Sequence, residues 1–233
     1  MGDVTRLGVV TGLAFEAACL RRAVPATSAL QIACAGGDYK RAYAAATQLA
    51  QGGADLLVSF GFAGGLHPRL RAGEIVLADG VAGPAGQRLP AADAHARRFA
   101  DAAARDGAPL DRGTILGVQD PVTLSRDKLR LGQICAAVAV DMESLGVAEA
   151  AAFNGRPFLC LRVIVDGAER DVPPAALAAM APDGRLRPLA LLGSLLRSPS
   201  QWSDLLRLAR DAGVARRSLR RAALTLGRAF GLV

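Results

Sequence analysis

The sequence is poor in several residue types that carry particular functions. Only 4% of its 233 residues are aromatic, and it has four cysteines: Cys19, Cys34, Cys135 and Cys160. The cysteines lie far apart and form no CxxC pair, so neither a zinc site nor a disulfide framework is indicated. Scarce aromatic residues leave few stacking platforms for single-stranded nucleic acid. We expect no metal cofactor, no nucleic-acid partner and a reducing, cytoplasmic environment.

Long apolar runs are also missing. The longest candidate, residues 189–196, is far shorter than the ~20 residues that a membrane-spanning helix needs. Residues 1–5 carry no basic segment that leads into an apolar stretch, so no secretory signal is predicted. With 52% hydrophobic and 21% charged residues, the chain is expected to form one globular domain with a sizeable core.

The net charge of +7 is concentrated at one end of the chain. Residues 197–233 contain eight arginines against Asp204 and Asp211, a net of +6, which leaves +1 for the other 196 residues. No basic stripe covers the body of the protein, which argues against nucleic-acid binding. The chain has only two lysines, Lys40 and Lys128, and this scarcity carries no functional prediction.

Short apolar runs alternate with helical patterns along most of the chain, as is typical of α/β proteins. Strands are predicted at residues 7–10, 30–34, 56–60, 75–78, 114–117, 137–140 and 158–165, with a glycine turn after residue 60. Helices are predicted near residues 15–22, 39–51, 93–105, 126–135 and 142–154. We expect a single α/β domain with a central, twisted, largely parallel sheet flanked by helices.

The pattern changes after Pro173-Pro174, where no further strand is evident and prolines interrupt helical stretches. We divide the chain into an α/β core, residues 1–172, and a helical C-terminal extension, residues 173–233, packed on or next to the core. Apolar residues recur at helical spacing from Trp202 to Phe230 with arginines between them. Two interpretations stay open for residues 197–233. They pack on the domain or a partner subunit, or they contact an anionic membrane surface.

Polar residues that directly follow predicted strands are the candidates for a site, because α/β sheets bind ligands at the carboxyl ends of strands. Glu16 ends the segment Gly8-Val-Val-Thr-Gly-Leu-Ala-Phe-Glu16, where it either takes part in chemistry or only favours the helix dipole. Closely spaced glycines follow the strand that contains Ser59, and they allow close approach of a ligand or make a tight turn.

Two further segments place charged residues at strand ends. In Ala139-Val-Asp-Met-Glu-Ser144 two carboxylates flank a methionine, and Asp141 is either functional or a helix cap. In Leu161-Arg-Val-Ile-Val-Asp-Gly167 an apolar strand contains Arg162 and ends in Asp166. The alternatives for this segment are a buried ion pair at Arg162 and a turn at Asp166.

In this order and spacing, the four segments resemble the superfamily of methylthioadenosine/adenosylhomocysteine nucleosidases and purine nucleoside phosphorylases, over residues 6 to 170. The resemblance implies a metal-free enzyme that cleaves the N-glycosidic bond of a purine nucleoside. It implies that Glu16 is the general base, that Asp166 protonates the purine, and that Glu143 grips the ribose hydroxyls. It further implies a substrate-binding set: Glu143, Met142, Asp141, Phe62, Gly61, Val122, Arg162 and Leu13.

The sequence also departs from the family pattern. Phe62 and Val165 stand where the nucleosidases have serines, and Val122 stands where they often have an aromatic residue against the purine. The positions that help to hold phosphate in phosphorylases fall on Ser59 and Phe62. A phenyl ring donates no hydrogen bond, so water is favoured over phosphate as nucleophile. Phosphate stays open as a co-substrate, held by other arginines: Arg21, Arg22, Arg41 or Arg162.

The C-terminal extension resembles the hopanoid-associated members of the superfamily in Asp183-Gly-Arg-Leu-Arg-Pro-Leu-Ala-Leu-Leu-Gly and Leu205-Leu-Arg-Leu-Ala-Arg-Asp211. This resemblance implies adenosylhopane, a lipid-linked adenine nucleoside, as the substrate, and a location on the inner face of the cytoplasmic membrane. The superfamily implies a homo-oligomer. Three alternatives remain: a phosphorolytic enzyme, a soluble methylthioadenosine/adenosylhomocysteine nucleosidase, and a non-catalytic membrane-associated protein.

Overall fold

The computed structural model of the chain describes residues 6–172 and 202–233. The predicted domain boundary at residue 173 and the motif at residues 183–193 lie outside these ranges. The described elements alternate along the chain as β1 (Leu7–Thr11), α1 (Ala14–Ala23), β2 (Leu30–Cys34), α2 (Tyr39–Gln51), β3 (Leu56–Gly65), β4 (Ile75–Ala82), β5 (Arg88–Pro90), α3 (Asp93–Arg105), β6 (Leu110–Gly117), α4 (Ser125–Cys135), β7 (Ala137–Asp141), α5 (Ser144–Phe153), β8 (Phe158–Asp166) and α6 (Trp202–Ala229).

The predicted α/β class is confirmed, with two differences in detail. The glycine segment after Phe60 was predicted to be a turn, but β3 continues through it to Gly65. The reason is tertiary, since β8 pairs with β3 along this stretch and β7 pairs with Gly64 and Gly65. Strand β5 was not predicted, because it has only three residues and ends in proline.

The sheet contains eight strands and closes partly on itself. The strands form two parallel sets. The first contains β2, β1, β3 and β8, and the second contains β4, β6 and β7. The two sets meet through antiparallel pairs, β3 with β7 and β4 with β8. These pairings complete a circuit of five strands, β3, β8, β4, β6 and β7. The carboxyl ends of β3 and β7 therefore meet at one place.

Two apolar clusters form the core on the two sides of the sheet. One contains residues of β1, β3 and β8 together with helices α1, α3 and α6, centred on the fully buried Phe60 and Phe99. The other packs α2 and α5 against the same strands, with Leu57 and Cys160 buried in it. Both faces of the central strands are thus covered, as their nearly continuous hydrophobic sequences require.

Helix α6 is part of the core. Its apolar residues Leu219, Ala222, Ala223 and Leu226, and Phe230 just after it, are buried against α1, α3 and β8. Two bonds to Asp106, from Thr225 Oγ1 at 2.7 Å and from Arg228 Nη1 at 2.6 Å, fasten its end to α3. This half of the predicted amphipathic pattern therefore offers its apolar face to the core, and only its arginine face is left for a membrane.

None of the helices within residues 6–172 and 202–233 has both the length and the apolar character of a membrane span.

Candidate active site

Glu16 is buried at the carboxyl end of β1, in the first turn of α1. Its Oε2 accepts hydrogen bonds from the amides of Gly12 and Leu13, both at 2.8 Å. Its Oε1 accepts a third from the amide of Phe62 on β3, at 2.7 Å. Glu16 thus joins the β1–α1 loop to the glycine segment of β3, and its carboxylate is held in one position.

Burial raises the pKa of Glu16. The positive charge of Arg162 and the three amide hydrogen bonds oppose this effect, because they stabilise the carboxylate form. A carboxylate with a raised pKa accepts a proton more readily than an ordinary glutamate, which suits a general base.

Arg162 lies on β8 and is completely buried. Its Nη2 contacts the carboxylate of Asp141, lies 3.7 Å from Oε2 of Glu143 and donates to Oγ of Ser59 at 2.5 Å. Its Nε and Nη1 have no hydrogen-bond partner among the described residues. The guanidinium therefore compensates the buried carboxylates through Nη2, while Nε and Nη1 are enclosed and make no hydrogen bond to a described residue.

Glu143 precedes α5 and its carboxylate lies directly against Gly12. A methyl group placed on Gly12 would stand 2.2 Å from Oε1 of Glu143, so only glycine fits there without moving the carboxylate. Burial, together with the nearby charge of Asp141, raises the pKa of Glu143 to about 8, although Arg162 opposes the shift. Gly12 thus separates two buried glutamates, since it also donates to Glu16.

Asp141 has both of its carboxylate oxygens engaged. Besides its ion pair with Arg162, it accepts hydrogen bonds from the amide and the hydroxyl of Ser144, with the hydroxyl at 2.5 Å from Oδ1. Asp141 therefore ends β7 and accepts hydrogen bonds from the first residue of α5, while its ion pair with Arg162 is the one that was an alternative for the Arg162 segment. These contacts orient Arg162, and the place of Asp141 in the substrate-binding set stays a prediction.

Asp166 ends β8 and pairs with Lys128 of α4. Lys128 is completely buried, and the side chain of Asp166 is 13% exposed. Burial raises the pKa of Asp166, and the charge and hydrogen bond of Lys128 oppose that shift. Burial therefore favours the protonated form of Asp166, and the positive charge of Lys128 favours its ionised form.

Strand β3 connects the two candidate catalytic carboxylates. A methyl group on Gly61 would stand 2.6 Å from Oε2 of Glu16, and one on Gly64 would stand 3.4 Å from Oδ2 of Asp166. The two glycines are three residues apart on a strand that rises about 3.3 Å per residue, which separates them by roughly 10 Å. Val140 also lies beside Gly64, so the segment that leads to Glu143 reaches the same place.

Two aromatic rings lie next to Glu16. The rings of Phe15 and Phe62 are stacked with centroids 6.3 Å apart and planes 8° apart. The guanidinium of Arg216 on α6 lies over the Phe15 ring, 4.1 Å from its centroid. Both phenylalanines are partly exposed, so they give the region an apolar surface.

The remaining predicted site residues are placed in less detail. Leu13 contributes its backbone amide to Glu16, and its carbonyl accepts the first amides of α1. Met142 is half-buried between Asp141 and Glu143. Val122 packs on the cluster that contains Leu66 and Val140. The predicted purine contact of Val122 stays a prediction.

Sequence reasoning missed Lys128 and underrated Gly12. The signal at Lys128 was weak, because its partner is 38 residues away in the sequence. Gly12 was quoted only as part of a motif, although its lack of a side chain is what admits Glu143. Within the described ranges, no group of three His, Cys, Asp or Glu residues is arranged to hold a metal ion.

The chain matches the family model of the phosphorylase superfamily over residues 32–197. Glu16 lies before the matched range. No curated protein sequence matches the chain.

Solved structures share the fold at low sequence identity. The 5'-methylthioadenosine/S-adenosylhomocysteine nucleosidase of Neisseria meningitidis is 17% identical with a TM-score of 0.68, over 95% of this chain and 98% of that one. The corresponding nucleosidase of Helicobacter pylori is 17% identical with a TM-score of 0.67, over 84% and 100%. The futalosine hydrolase of H. pylori is 17% identical with a TM-score of 0.66, over 84% and 98%. At these identities the likeness concerns the fold.

Proposed function

The chain belongs to the phosphorylase superfamily, and from this premise we propose that it hydrolyses the N-glycosidic bond of an adenine nucleoside, with adenosylhopane as its substrate and adenine as one product. Family membership supports a purine nucleosidase or phosphorylase in general. The nucleophile and the substituent on the ribose are argued below from the residues around Glu16.

One observation carries the proposal. Two carboxyl groups with raised pKa values, the buried Glu16 and the largely buried Asp166, lie beside Gly61 and Gly64 of β3, and the carboxylate of Glu143 lies beside Gly12 after β1. Cleavage of a ribosyl bond builds positive charge on the sugar and negative charge on the departing base. This reaction needs three groups: an acid that protonates the purine, a carboxylate that stabilises the sugar, and a general base that takes a proton from the nucleophile.

The roles follow from the positions. Asp166 donates a proton to the purine, and the electrons of the glycosidic bond leave with the base. Glu143 holds the ribose hydroxyls, and its ionised form, which predominates only above its pKa of about 8, stabilises the cationic sugar. Glu16 accepts a proton from the attacking water, while Arg162 keeps Glu143 in place.

Water is favoured over phosphate as the nucleophile. Ser59 is buried, and its hydroxyl oxygen accepts a hydrogen bond from Arg162. The amide of Phe62 donates to Glu16, and its side chain is a phenyl ring. The two positions that correspond to phosphate contacts in phosphorylases are thus engaged or apolar, and a phosphate anion needs donors in place.

The apolar surface beside Glu16 supports a lipid-linked substrate. The rings of Phe15 and Phe62 are stacked, partly exposed and next to Glu16. With Glu16 as the general base, the ribose of a bound nucleoside would lie beside these rings. A large hydrocarbon substituent gains free energy by leaving water for such a surface, at about 25 cal/mol per Å² of apolar area. A small or charged substituent gains much less.

The arginines of α6 support a peripheral location at an anionic membrane. Arg217, Arg220 and Arg221 are exposed on the side of α6 that does not enter the core. Because the apolar face is buried, such contact would be electrostatic, at about 1 kcal/mol for each arginine near the surface, and it would weaken as salt is added. Co-sedimentation with phosphatidylglycerol vesicles at low and high salt tests this location.

The test of the proposed function is adenine release from adenosylhopane in detergent, with and without phosphate, and with methylthioadenosine as comparator. We expect phosphate-independent release from adenosylhopane and slower release from methylthioadenosine. Strict phosphate dependence would replace hydrolysis by phosphorolysis. Activity on methylthioadenosine alone would replace the lipid substrate, and no release from either would favour the non-catalytic alternative.

A further inference from the structure

Lys128 is a completely buried lysine in a chain that has only one other. Burying an ammonium group is costly unless hydrogen bonds and an opposite charge replace its water, so such lysines are rare. Lys128 belongs to α4, whereas its partners belong to the end of β8 and the loop that follows. Its burial therefore joins two separate elements at Asp166.

The ammonium group finds one acceptor for each of its three N–H bonds. Nζ contacts Oδ2 of Asp166, and it donates to the carbonyl oxygens of Arg170 at 2.8 Å and of Gly167 at 3.4 Å. An ammonium group has three donors and no acceptor, so the set matches the charged form. Two carbonyls and one carboxylate thus fix Nζ in place.

The contact also fixes Asp166. Its Oδ2 is held by Lys128, and no described residue donates a hydrogen bond to its Oδ1. The carbonyls held by Lys128 belong to the turn directly after Asp166, so the same lysine restrains the backbone that carries the carboxyl group. Oδ1 is therefore the oxygen left for a ligand, in an orientation that Lys128 determines.

We propose that Lys128 is the positioning residue of the acid Asp166, holding Oδ2 so that Oδ1 faces the departing base and stabilising the carboxylate that proton donation leaves behind. The inference rests on the proposed function, since it assumes that Asp166 is the acid. In the step, the Oδ1–H bond breaks, an N–H bond forms on the purine, and the electron pair of the glycosidic bond passes to the purine. The product state is the ion pair of Lys128 with Asp166.

The pH dependence separates this role from a structural one. Among the described residues, the charged groups that act on Asp166 are Lys128 on α4 and Asp211 on α6, and Asp211 forms a 2.7 Å ion pair with Arg170. Removing the positive charge of Lys128 leaves burial and Asp211, both of which raise the pKa of Asp166. The acid then becomes weaker, and it stays protonated to a higher pH.

The experiment compares Lys128→Met, Lys128→Arg and Asp166→Asn with wild type, and Lys40→Met serves as the control at the other, exposed lysine. Turnover is measured across pH with adenosylhopane, whose adenine needs protonation, and with 4-nitrophenyl riboside, whose leaving group departs without it. The second substrate reports how much competent enzyme each variant contains.

We expect Lys128→Met to lower turnover of adenosylhopane about 100-fold, within the range of general acid catalysis, and to move the alkaline limb upward by about one pH unit or more. Its turnover of the nitrophenyl substrate should change less than about threefold, since no acid is needed. Lys128→Arg should keep the limb near its wild-type position because it retains the charge, and Lys40→Met should behave as wild type.

Three outcomes would overturn the inference. Equal losses of turnover on both substrates, with no shift of the alkaline limb of the pH profile, would make Lys128 a purely structural residue. Poor folding of Lys128→Met would give this same result. If Lys128→Met keeps the wild-type rates and the wild-type alkaline limb while Asp166→Asn is inactive on adenosylhopane, then Lys128 is not a positioning residue and Asp166 keeps its assigned role as the acid. Wild-type turnover in Asp166→Asn would remove the acid itself and with it this part of the proposed function.

Discussion

The amide of Phe62 donates a 2.7 Å hydrogen bond to Oε1 of Glu16, across 46 residues of sequence. This bond places the glutamate of helix α1 against the glycine segment of β3. The same segment reaches Asp166 two residues later, through Gly64. Small changes in β3 should therefore act on the site without changing any charged residue.

Substitution of Gly61 by alanine should displace Glu16. The new methyl group would stand 2.6 to 2.7 Å from both carboxylate oxygens. A displacement on the order of 1 Å costs about 100-fold in rate when a catalytic group is involved. Gly213→Ala is the control, because no atom lies within 4 Å of that position and alanine favours a helix. Equal activity of the two variants would contradict the assigned position of Glu16.

Substitution of Glu16 by glutamine should abolish most of the activity, and it also removes one of the two oxygens that accept the amide hydrogen bonds of Gly12, Leu13 and Phe62. An amide cannot accept a proton from water, and loss of a general base lowers kcat by about 10² to 10⁴. Adenine release from adenosylhopane measures the effect, and Glu169→Gln, at an exposed position, is the control. Wild-type turnover of Glu16→Gln would show that another group activates the nucleophile.

Removal of Arg162 should destabilise the protein strongly. Arg162→Met leaves the buried carboxylates of Asp141 and Glu143 without their cation, and loss of one partner of a buried ion pair costs about 3–5 kcal/mol. The double variant with Asp141→Asn should lose less than the sum of the single variants, because it removes both charges together. Urea unfolding of the four proteins measures this coupling. Additive losses would argue against a direct pair.

Titration of Glu143 should lower the stability of the protein as pH rises from about 4.5 to about 8, and the lowered pKa of His95 opposes this trend near its ordinary value of 6.5. The pKa of Glu143 is about 8 in the folded protein against an ordinary value of 4.5. Between these values the folded state binds more protons than the unfolded chain, so raising the pH favours unfolding. The raised pKa values of Glu16 and Asp166 act in the same direction.

Glu143→Gln isolates the contribution of that residue. The variant should lose less free energy of unfolding across this pH range than wild type, while part of the slope remains from Glu16 and Asp166. Urea unfolding at several pH values in the range makes the comparison. Parallel curves for the two proteins would show that Glu143 does not titrate with a raised pKa.

Helix α6 should be required for stability of the whole domain. Leu219 is fully buried against the strands, whereas Leu224 on the same helix is 39% exposed. Leu219→Ala should cost about 2–5 kcal/mol by creating a cavity, and Leu224→Ala should cost much less. Thermal or urea unfolding measures both. Similar small effects would mean that α6 contributes little to the core.

Much of the fold could be predicted because local sequence carries it. The bounds of α2 and α3 agree with the predicted residues 39–51 and 93–105, since both helices have an apolar stripe with helical spacing. The extension of β3 through its glycines could not be predicted from the sequence. Glycine has little strand preference, and the hydrogen bonds come from pairing with β7 and β8.

The sequence by itself determined the order of the strands and helices apart from β5, the positions of Glu16, Glu143 and Asp166 at strand ends, and the resemblance to a family. These features depend on side-chain periodicity and residue type, which neighbouring residues specify. The tertiary structure alone decided that Phe62 holds Glu16 and that Lys128 is buried against Asp166. Such contacts join residues 38 and 46 positions apart, and burial, which sets the pKa values, exists only once the chain has folded.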